Sequence, residues 1–217
     1  MHALSLRAGE SVERVLAIGC HSDDIEIGCG GTIVTLLERN PDLEVTWLVL
    51  SAEGPRADEA KASAAVFLAG ARREPRILLE SFRDGYFPYV GGEVKDAFER
   101  LKPVVTPQII FTHAGTDLHQ DHRLVAELTW NTFRNHLVVE YEIAKYEGDL
   151  GSPNLYVPLS RTVAARKIEL LLEHFASQRS RPWFRSETFD GLMCLRGVEC
   201  NAPEGRAEAF HAPKMIL

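Results

Sequence analysis

Two short apolar segments, each ending in a dense polar stretch that leads into helical periodicity, constrain the fold of this chain more than any other feature. Residues 15–20 form the first apolar segment, and the turn His21-Ser22-Asp23-Asp24 follows it directly. Residues 109–111 form the second, and the stretch after it ends in His119-Gln120-Asp121-His122. A continuous apolar run between polar boundaries is typical of a buried parallel strand. The sequence therefore contains two strand–loop–helix units whose loops carry reactive side chains.

The rest of the chain alternates in the same way. Further strands are predicted at residues 45–50, 76–79 and 137–143, and a closing edge strand at 208–216, after a loop at 148–158. Helices are predicted at residues 32–38, 57–68, 93–101, 123–133, 162–175 and 187–195. This order predicts an α/β fold, a Rossmann-like three-layer sandwich with a mostly parallel sheet. Because 217 residues suit one core and no linker is evident, a single domain spanning 1–217 is expected.

Charge and composition exclude several classes of protein. A formal net charge of -7 argues against a nucleic-acid partner, which normally needs a basic face. No apolar run reaches membrane-spanning length and the start of the chain lacks a signal-peptide pattern, so we expect a cytoplasmic protein without a membrane partner. The four cysteines, Cys20, Cys29, Cys194 and Cys200, lack zinc-knuckle spacing and are interpreted as reduced thiols. A homo-oligomer is left open.

The two polar stretches together favour a catalytic divalent-metal site. The carboxyl ends of neighbouring parallel strands meet at one edge of a sheet, so the two stretches can face each other. His21 and Asp24 could bind one ion, and either His119 or His122 could complete three ligands while the other takes part in proton transfer. Each stretch alone also fits a plainer role, since acidic residues are favoured at helix N-termini. Two such clusters at strand ends make the metal site the stronger hypothesis.

Both motifs resemble those of the PIG-L/LmbE-like zinc-dependent N-deacetylases. The first is similar to the His-Pro-Asp-Asp motif of that family, including the later acid Glu26 and the Gly30-Gly31-Thr32 helix start. The second is similar to its His-Pro-Asp-His motif. Ser22 and Gln120 stand where proline is usual, and Cys20 where alanine is common. None of these departures removes a metal ligand.

The resemblance implies a role for each matching residue. His21, Asp24 and His122 would bind Zn²⁺, although another divalent metal such as Fe²⁺ would suit the same ligands. Asp23 would be the general base, His119 the charged group that polarises the carbonyl, and Asp121 the residue that holds His119 in its charged form. The implied activity is removal of an N-acetyl group from an amino sugar or sugar-containing metabolite, a small-molecule substrate.

A nucleotide-binding Rossmann-type oxidoreductase is the alternative function. Gly28, Gly30 and Gly31 partly match the dinucleotide-binding fingerprint, with Glu53 at a suitable distance for a ribose contact. However, Ile33 occupies the third glycine position, and the glycines lie well beyond the end of the strand. We instead expect these glycines to let the helix pack close to the sheet.

Five loop residues near predicted strand ends could hold sugar hydroxyls, with ordinary surface polarity as the plainer interpretation. They are Arg56, Arg83, Asp84, Tyr86 and Tyr146. His113 ends the second apolar strand and is given no role.

Overall fold

The structure is a computed structural model that describes residues 12–215. Within this part of the chain, seven strands form one sheet and six α-helices flank it. The strands are β1 (Arg14–His21), β2 (Glu44–Ser51), β3 (Arg76–Leu79), β4 (Ile109–His113), β5 (Leu137–Tyr141), β6 (Leu155–Pro158) and β7 (Ala207–His211). The helices are α1 (Asp24–Arg39), α2 (Pro55–Phe67), α3 (Gly91–Leu101), α4 (Gln120–Thr132), α5 (Arg161–His174) and α6 (Ser186–Cys200).

The sheet has the order β3-β2-β1-β4-β5-β7-β6. The first five strands in this order are parallel, and β7 runs antiparallel to both β5 and β6. The predicted α/β class with a mostly parallel sheet is therefore confirmed. None of the helices within residues 12–215 is long and apolar enough to cross a membrane.

The side chains of β1 alternate between two cores, one on each face of the sheet. Val15 and Ala17 pack with residues of α1, α2 and α5, whereas Leu16 and Ile18 pack with residues of α3 and α4. Because successive side chains of a strand point to opposite faces, a strand buried on both faces has no polar alternation. Burial of β1 on both faces explains its continuous apolar run. Helices therefore cover both faces of the sheet, as the predicted three-layer sandwich requires.

The end of the sheet differs from the prediction in two ways. The strand predicted as a closing edge, 208–216, is β7, which lies inside the sheet between β5 and β6; residue 216 is outside the described part of the chain. The edge strand is β6, which comes from the segment predicted as a loop. Its Pro158 lowers strand propensity, but an edge strand tolerates proline because one side of it needs no hydrogen bonds.

Helix α1 begins at Asp24 and not at residue 32 as predicted, so the glycine-rich segment is helical. Glycine has low helix propensity, which favoured the interpretation as a turn. The contacts show why glycine is needed there. A Cβ atom added to Gly28 would lie 2.2 Å from Cδ2 of Tyr141, and one added to Gly30 would lie 2.6 Å from Cε1 of Phe67. The prediction that these glycines let the helix pack close to the sheet is confirmed for Gly28, whereas Gly30 lets α1 pack closely against α2.

The strand order reverses direction at β1, which has β2 on one side and β4 on the other. In open α/β sheets, ligands bind beyond the carboxyl ends of the strands at such a switch point, where the two neighbouring connections diverge. The two polar stretches follow β1 and β4, so the topology brings both to this crevice.

Candidate active site

Three side-chain atoms from the two polar stretches lie at mutual distances that suit one metal ion. His21 Nδ1 lies 3.3 Å from Asp24 Oδ2 and 3.2 Å from His122 Nε2. His122 Nε2 lies 3.5 Å from the same oxygen of Asp24. Ligand atoms about 2.0–2.1 Å from a tetrahedral zinc would be about 3.3–3.4 Å apart. The three residues are buried and their donor set, two imidazoles and one carboxylate, fits a catalytic zinc site.

Local structure places each of these three atoms. His21 is the last residue of β1, and its backbone N–H donates to Asp24 Oδ2 over 2.7 Å. Asp24 is the first residue of α1, and this bond turns its carboxylate back toward the strand end. His122 lies in the first turn of α4, beyond the neighbouring strand β4. The site is therefore assembled across the switch point from two separate strand–loop–helix units.

In both His21 and His122, the ring nitrogen that faces away from the candidate metal position lies close to a carboxylate. Nδ1 of His122 lies 2.9 Å from Asp117 Oδ2, within hydrogen-bonding distance. Nε2 of His21 lies 3.0 Å from Asp84 Oδ1, close enough for an ion pair although the alignment is too poor for a hydrogen bond. Carboxylates in this position orient metal-binding histidines and select the tautomer. Sequence reasoning gave Asp117 no role and considered Asp84 only as a sugar contact, because nothing local reveals which carboxylate faces which imidazole.

Protonation of the three residues depends on burial and on each other. Burial and the neighbouring His113 lower the pKa of His122 to about 3, so its imidazole is neutral at pH 7. Burial would raise the pKa of Asp24, but the three imidazoles around it hold it well below its usual range. Burial would lower the pKa of His21, but nearby carboxylates, Asp24 foremost, raise it well above its ordinary value. Asp24 is thus ionised and His122 has a free lone pair, as metal binding requires, whereas His21 would release a proton on binding a metal.

Asp23 lies next to a ligand of the candidate metal site but has a different environment. It is the N-cap residue of α1, yet its side chain makes no capping hydrogen bond. Its exposed fraction is 4%. Burial and the adjacent carboxylate of Asp24 raise the pKa of Asp23 to about 6. A carboxylate that is ionised at neutral pH but more basic than usual suits a general base.

His119 lies at the rim of the same cluster. It is the N-cap residue of α4, and its Nδ1 accepts a hydrogen bond from the backbone N–H of Asp121 over 3.3 Å. Its ring centroid lies 5.0 Å from that of His21 and 4.5 Å from that of His122. With Nδ1 used as an acceptor, Nε2 is the nitrogen left to donate to a substrate.

The carboxylate of Asp121 does not hold His119, in contrast to its predicted role. It accepts hydrogen bonds from the backbone N–H groups of Gly85 at 2.7 Å and Phe87 at 3.2 Å, and lies 3.5 Å from His21 Nε2. Asp121 is fully buried and precedes His122 in α4, so it attaches the loop after β3 to the site. The contact depends on a loop far away in sequence, which the motif spacing does not reveal.

His113, which had no assigned role, lies beneath Asp24. Its Nε2 is 3.2 Å from Asp24 Oδ2 and accepts the backbone N–H of Cys20 over 3.0 Å. Its ring stacks on that of His122, with centroids 3.9 Å apart. The donor atoms of Cys20, Asp24, His113 and His122 lie within 4.8 Å of one another and form another group that could hold a metal. We favour the first group because Nε2 of His113 already accepts a hydrogen bond, and burial and Asp24 raise the pKa of the Cys20 thiol.

The predicted sugar-contact residues lie in the first turn of α2, which contains Arg56, and in the loops after β3 and β5. Arg56 donates to Asp84 over 2.8 Å, so both lie on the His21 side of the site. In the same loop as Asp84, the guanidinium of Arg83 stacks on the ring of Tyr86. Tyr146 lies in the loop after β5 and is 63% exposed. The structure therefore brings Arg56 and Asp84 to the cluster and leaves the two tyrosines exposed.

A mostly parallel α/β sheet with a buried His/Asp cluster at its switch point fits the class of metal-dependent enzymes. Residues 16–133, more than half of the chain, match the model of the PIG-L family, described as GlcNAc-PI de-N-acetylase. The chain belongs to the PIG-L family. The predicted family and the predicted metal-dependent N-deacetylase activity are thereby confirmed, and the oxidoreductase alternative finds no support.

Solved structures share the fold at low sequence identity. N,N'-diacetylchitobiose deacetylase from Pyrococcus horikoshii is 19% identical, with 92% of this chain and 83% of that chain covered and a TM-score of 0.68. The A40926 pseudoaglycone deacetylase is 16% identical, with coverages of 93% and 97% and a TM-score of 0.69. The 4-carboxy-2-hydroxymuconate hydratase from Pseudomonas putida KT2440 is also 16% identical, with coverages of 94% and 98% and a TM-score of 0.70. No curated protein sequence matches the chain significantly.

Proposed function

We propose that this protein hydrolyses the N-acetyl group of a small amino sugar or sugar-containing metabolite, with zinc held by His21, Asp24 and His122. The observation that carries the proposal is the triangle of donor atoms with sides of 3.2, 3.3 and 3.5 Å. The sugar-containing substrate is supported by the names of two structural neighbours, a diacetylchitobiose deacetylase and a pseudoaglycone deacetylase. Fe²⁺ is the alternative metal.

Zinc, when bound, supplies Lewis-acid chemistry, polarising a carbonyl and lowering the pKa of water to about 7. The side chains around it supply the proton transfers. Asp23 accepts the proton of the attacking water, since it is ionised at neutral pH and has no capping bond to break. His119 can donate from Nε2 to the oxygen on which negative charge develops, because its Nδ1 is occupied. The proton gained by Asp23 is then available to the departing amine.

The location and organisation of the protein remain part of this proposal. We propose a cytoplasmic enzyme with one domain over residues 1–217, acting on a small molecule. All four cysteines are free thiols in the structure, as expected in a reducing compartment. The net charge of -7 supports a partner other than nucleic acid.

The proposal predicts metal-dependent release of acetate. Purified protein would be incubated with N-acetylated sugars, nucleotide sugars and N-acetylated glycosides, and acetate would be measured by an enzyme-coupled assay. We expect release from at least one of them, its loss after chelation, and its recovery on adding zinc or Fe²⁺. His122→Ala is the matched control and should neither retain the metal nor release acetate. A protein that binds metal but releases acetate from none of these compounds would contradict the proposed substrate class.

A further inference from the structure

Three buried charged side chains connect His122 to the loop after β5. Asp117 Oδ2 lies 2.9 Å from His122 Nδ1, and Asp117 Oδ1 lies 3.1 Å from Lys145 Nζ. Lys145 Nζ donates to Asp149, with both carboxylate oxygens at 2.7 Å. The side chains of Asp117, Lys145 and Asp149 are only 5–7% exposed. Ion pairs this deeply buried are scarcely screened by solvent, so removing one partner leaves an uncompensated charge.

The same carboxylates also hold the backbone that leads into α4. Asp117 Oδ1 accepts the backbone N–H of His119 over 2.8 Å, and Asp149 Oδ2 accepts that of Leu118 over 2.7 Å. The charged side chains and this backbone segment therefore form a closed set of contacts. Movement of Lys145 would remove the ion pair of Asp117. It would also free Asp149, which holds the backbone N–H of Leu118.

We infer that Lys145 and Asp149 are positioning residues for the metal centre, because they hold Asp117 against Nδ1 of His122. A proton kept on Nδ1 leaves the lone pair of Nε2 directed at His21 and Asp24. The inference rests on the proposed function, since it takes His122 as a metal ligand. It extends the site to a loop in which sequence reasoning considered only Tyr146.

A positioning role and a purely electrostatic role of Lys145 predict opposite changes in metal affinity when Lys145 is replaced. If its positive charge acted on the metal only through space, replacing it by a neutral residue would strengthen the binding of a cation. If Lys145 positions Asp117, the same replacement frees a buried carboxylate and weakens metal binding. Loss of a group that orients a metal-bound histidine typically costs 10–100-fold in metal affinity.

The test is the zinc dissociation constant of Lys145→Met, measured by competition with a chromophoric chelator on protein stripped of metal. We expect binding about tenfold weaker than in the wild type, at the lower end of that range because Lys145 acts through Asp117. Lys145→Gln, also neutral but able to donate to Asp117, should be intermediate between the wild type and Lys145→Met. Lys61→Met, which changes an exposed lysine of α2, is the matched control and should leave the affinity unchanged.

Circular dichroism would check that each metal-free variant is folded. If Lys145→Met does not fold, Lys145→Gln replaces it in the test, because it should also bind zinc more weakly than the wild type. Unchanged or tighter zinc binding in the folded variant would overturn the inference. Failure of the proposed function would give a different result. The wild-type protein would then bind no zinc, or the His122→Ala variant would bind zinc as tightly as the wild type.

Discussion

Two neighbouring carboxylates, Asp23 and Asp24, show how position within one turn assigns different chemistry to identical side chains. Asp24 is surrounded by imidazoles and accepts the backbone N–H of His21, and its pKa is held below the usual range. For Asp23, burial and the adjacent Asp24 outweigh Arg56 and His21, which favour the charged form, and raise its pKa to about 6. Paired groups whose surroundings move their pKa values apart are typical of acid–base sites.

For Asp23→Ala we predict loss of turnover with the metal retained. General acid–base catalysis contributes about 10²–10⁴-fold, so kcat should fall by that factor while zinc stays at about one ion per chain. Acetate release and elemental analysis would measure the two quantities. Asp42→Ala, which alters a surface carboxylate, should behave as the wild type. Full activity of Asp23→Ala would exclude Asp23 as the base.

Helix α1 is the element that joins the core to the site, because it begins at Asp24 and its Gly28 packs against the sheet. Gly28 faces Tyr141, a fully buried residue whose hydroxyl donates to Ile18 O over 2.6 Å and lies 3.1 Å from His113 Nε2. Tyr141 of β5 therefore contacts both α1, which carries Asp24, and His113, which lies beneath Asp24.

We predict that Gly28→Ala destabilises the protein, although alanine normally favours a helix interior by about 0.5–1 kcal/mol. The new Cβ would lie 2.2 Å from the Tyr141 ring, so overpacking should cost about 1–3 kcal/mol in the free energy of unfolding. Gly191→Ala in α6 is the control, because nothing lies within 4 Å of its added Cβ. Urea denaturation should show it to be as stable as the wild type or more so. Equal gains in both variants would contradict the packing argument.

The order of strands in the sheet brings together ligands of the candidate metal site from two parts of the chain that are far apart in sequence. His21 and Asp24 come from β1 and α1, and His122 from α4. The hydratase with the same fold shows that this architecture does not by itself select a reaction, so the residues at the switch point must do so.

A metal ion that binds these parts only when they are folded should stabilise the whole molecule. At zinc concentrations 100 times the dissociation constant, the expected gain is about 2.7 kcal/mol, and chelation should remove it. Thermal unfolding followed by circular dichroism would show this as a higher midpoint with zinc. His122→Ala should show a much smaller shift. The same shift in both proteins would mean that zinc binds elsewhere.

Local sequence patterns determined the alternation of strands and helices, the mostly parallel sheet and the two motifs, because apolar periodicity and motif spacing involve residues close together in the chain. The tertiary structure alone decided the helical start of α1, the inner position of β7 and the carboxylate that faces Nε2 of His21. Each of these depends on contacts between segments far apart in sequence, such as Gly28 with Tyr141 and His21 with Asp84. No local pattern encodes such pairings, since they exist only once the strands are ordered in the sheet.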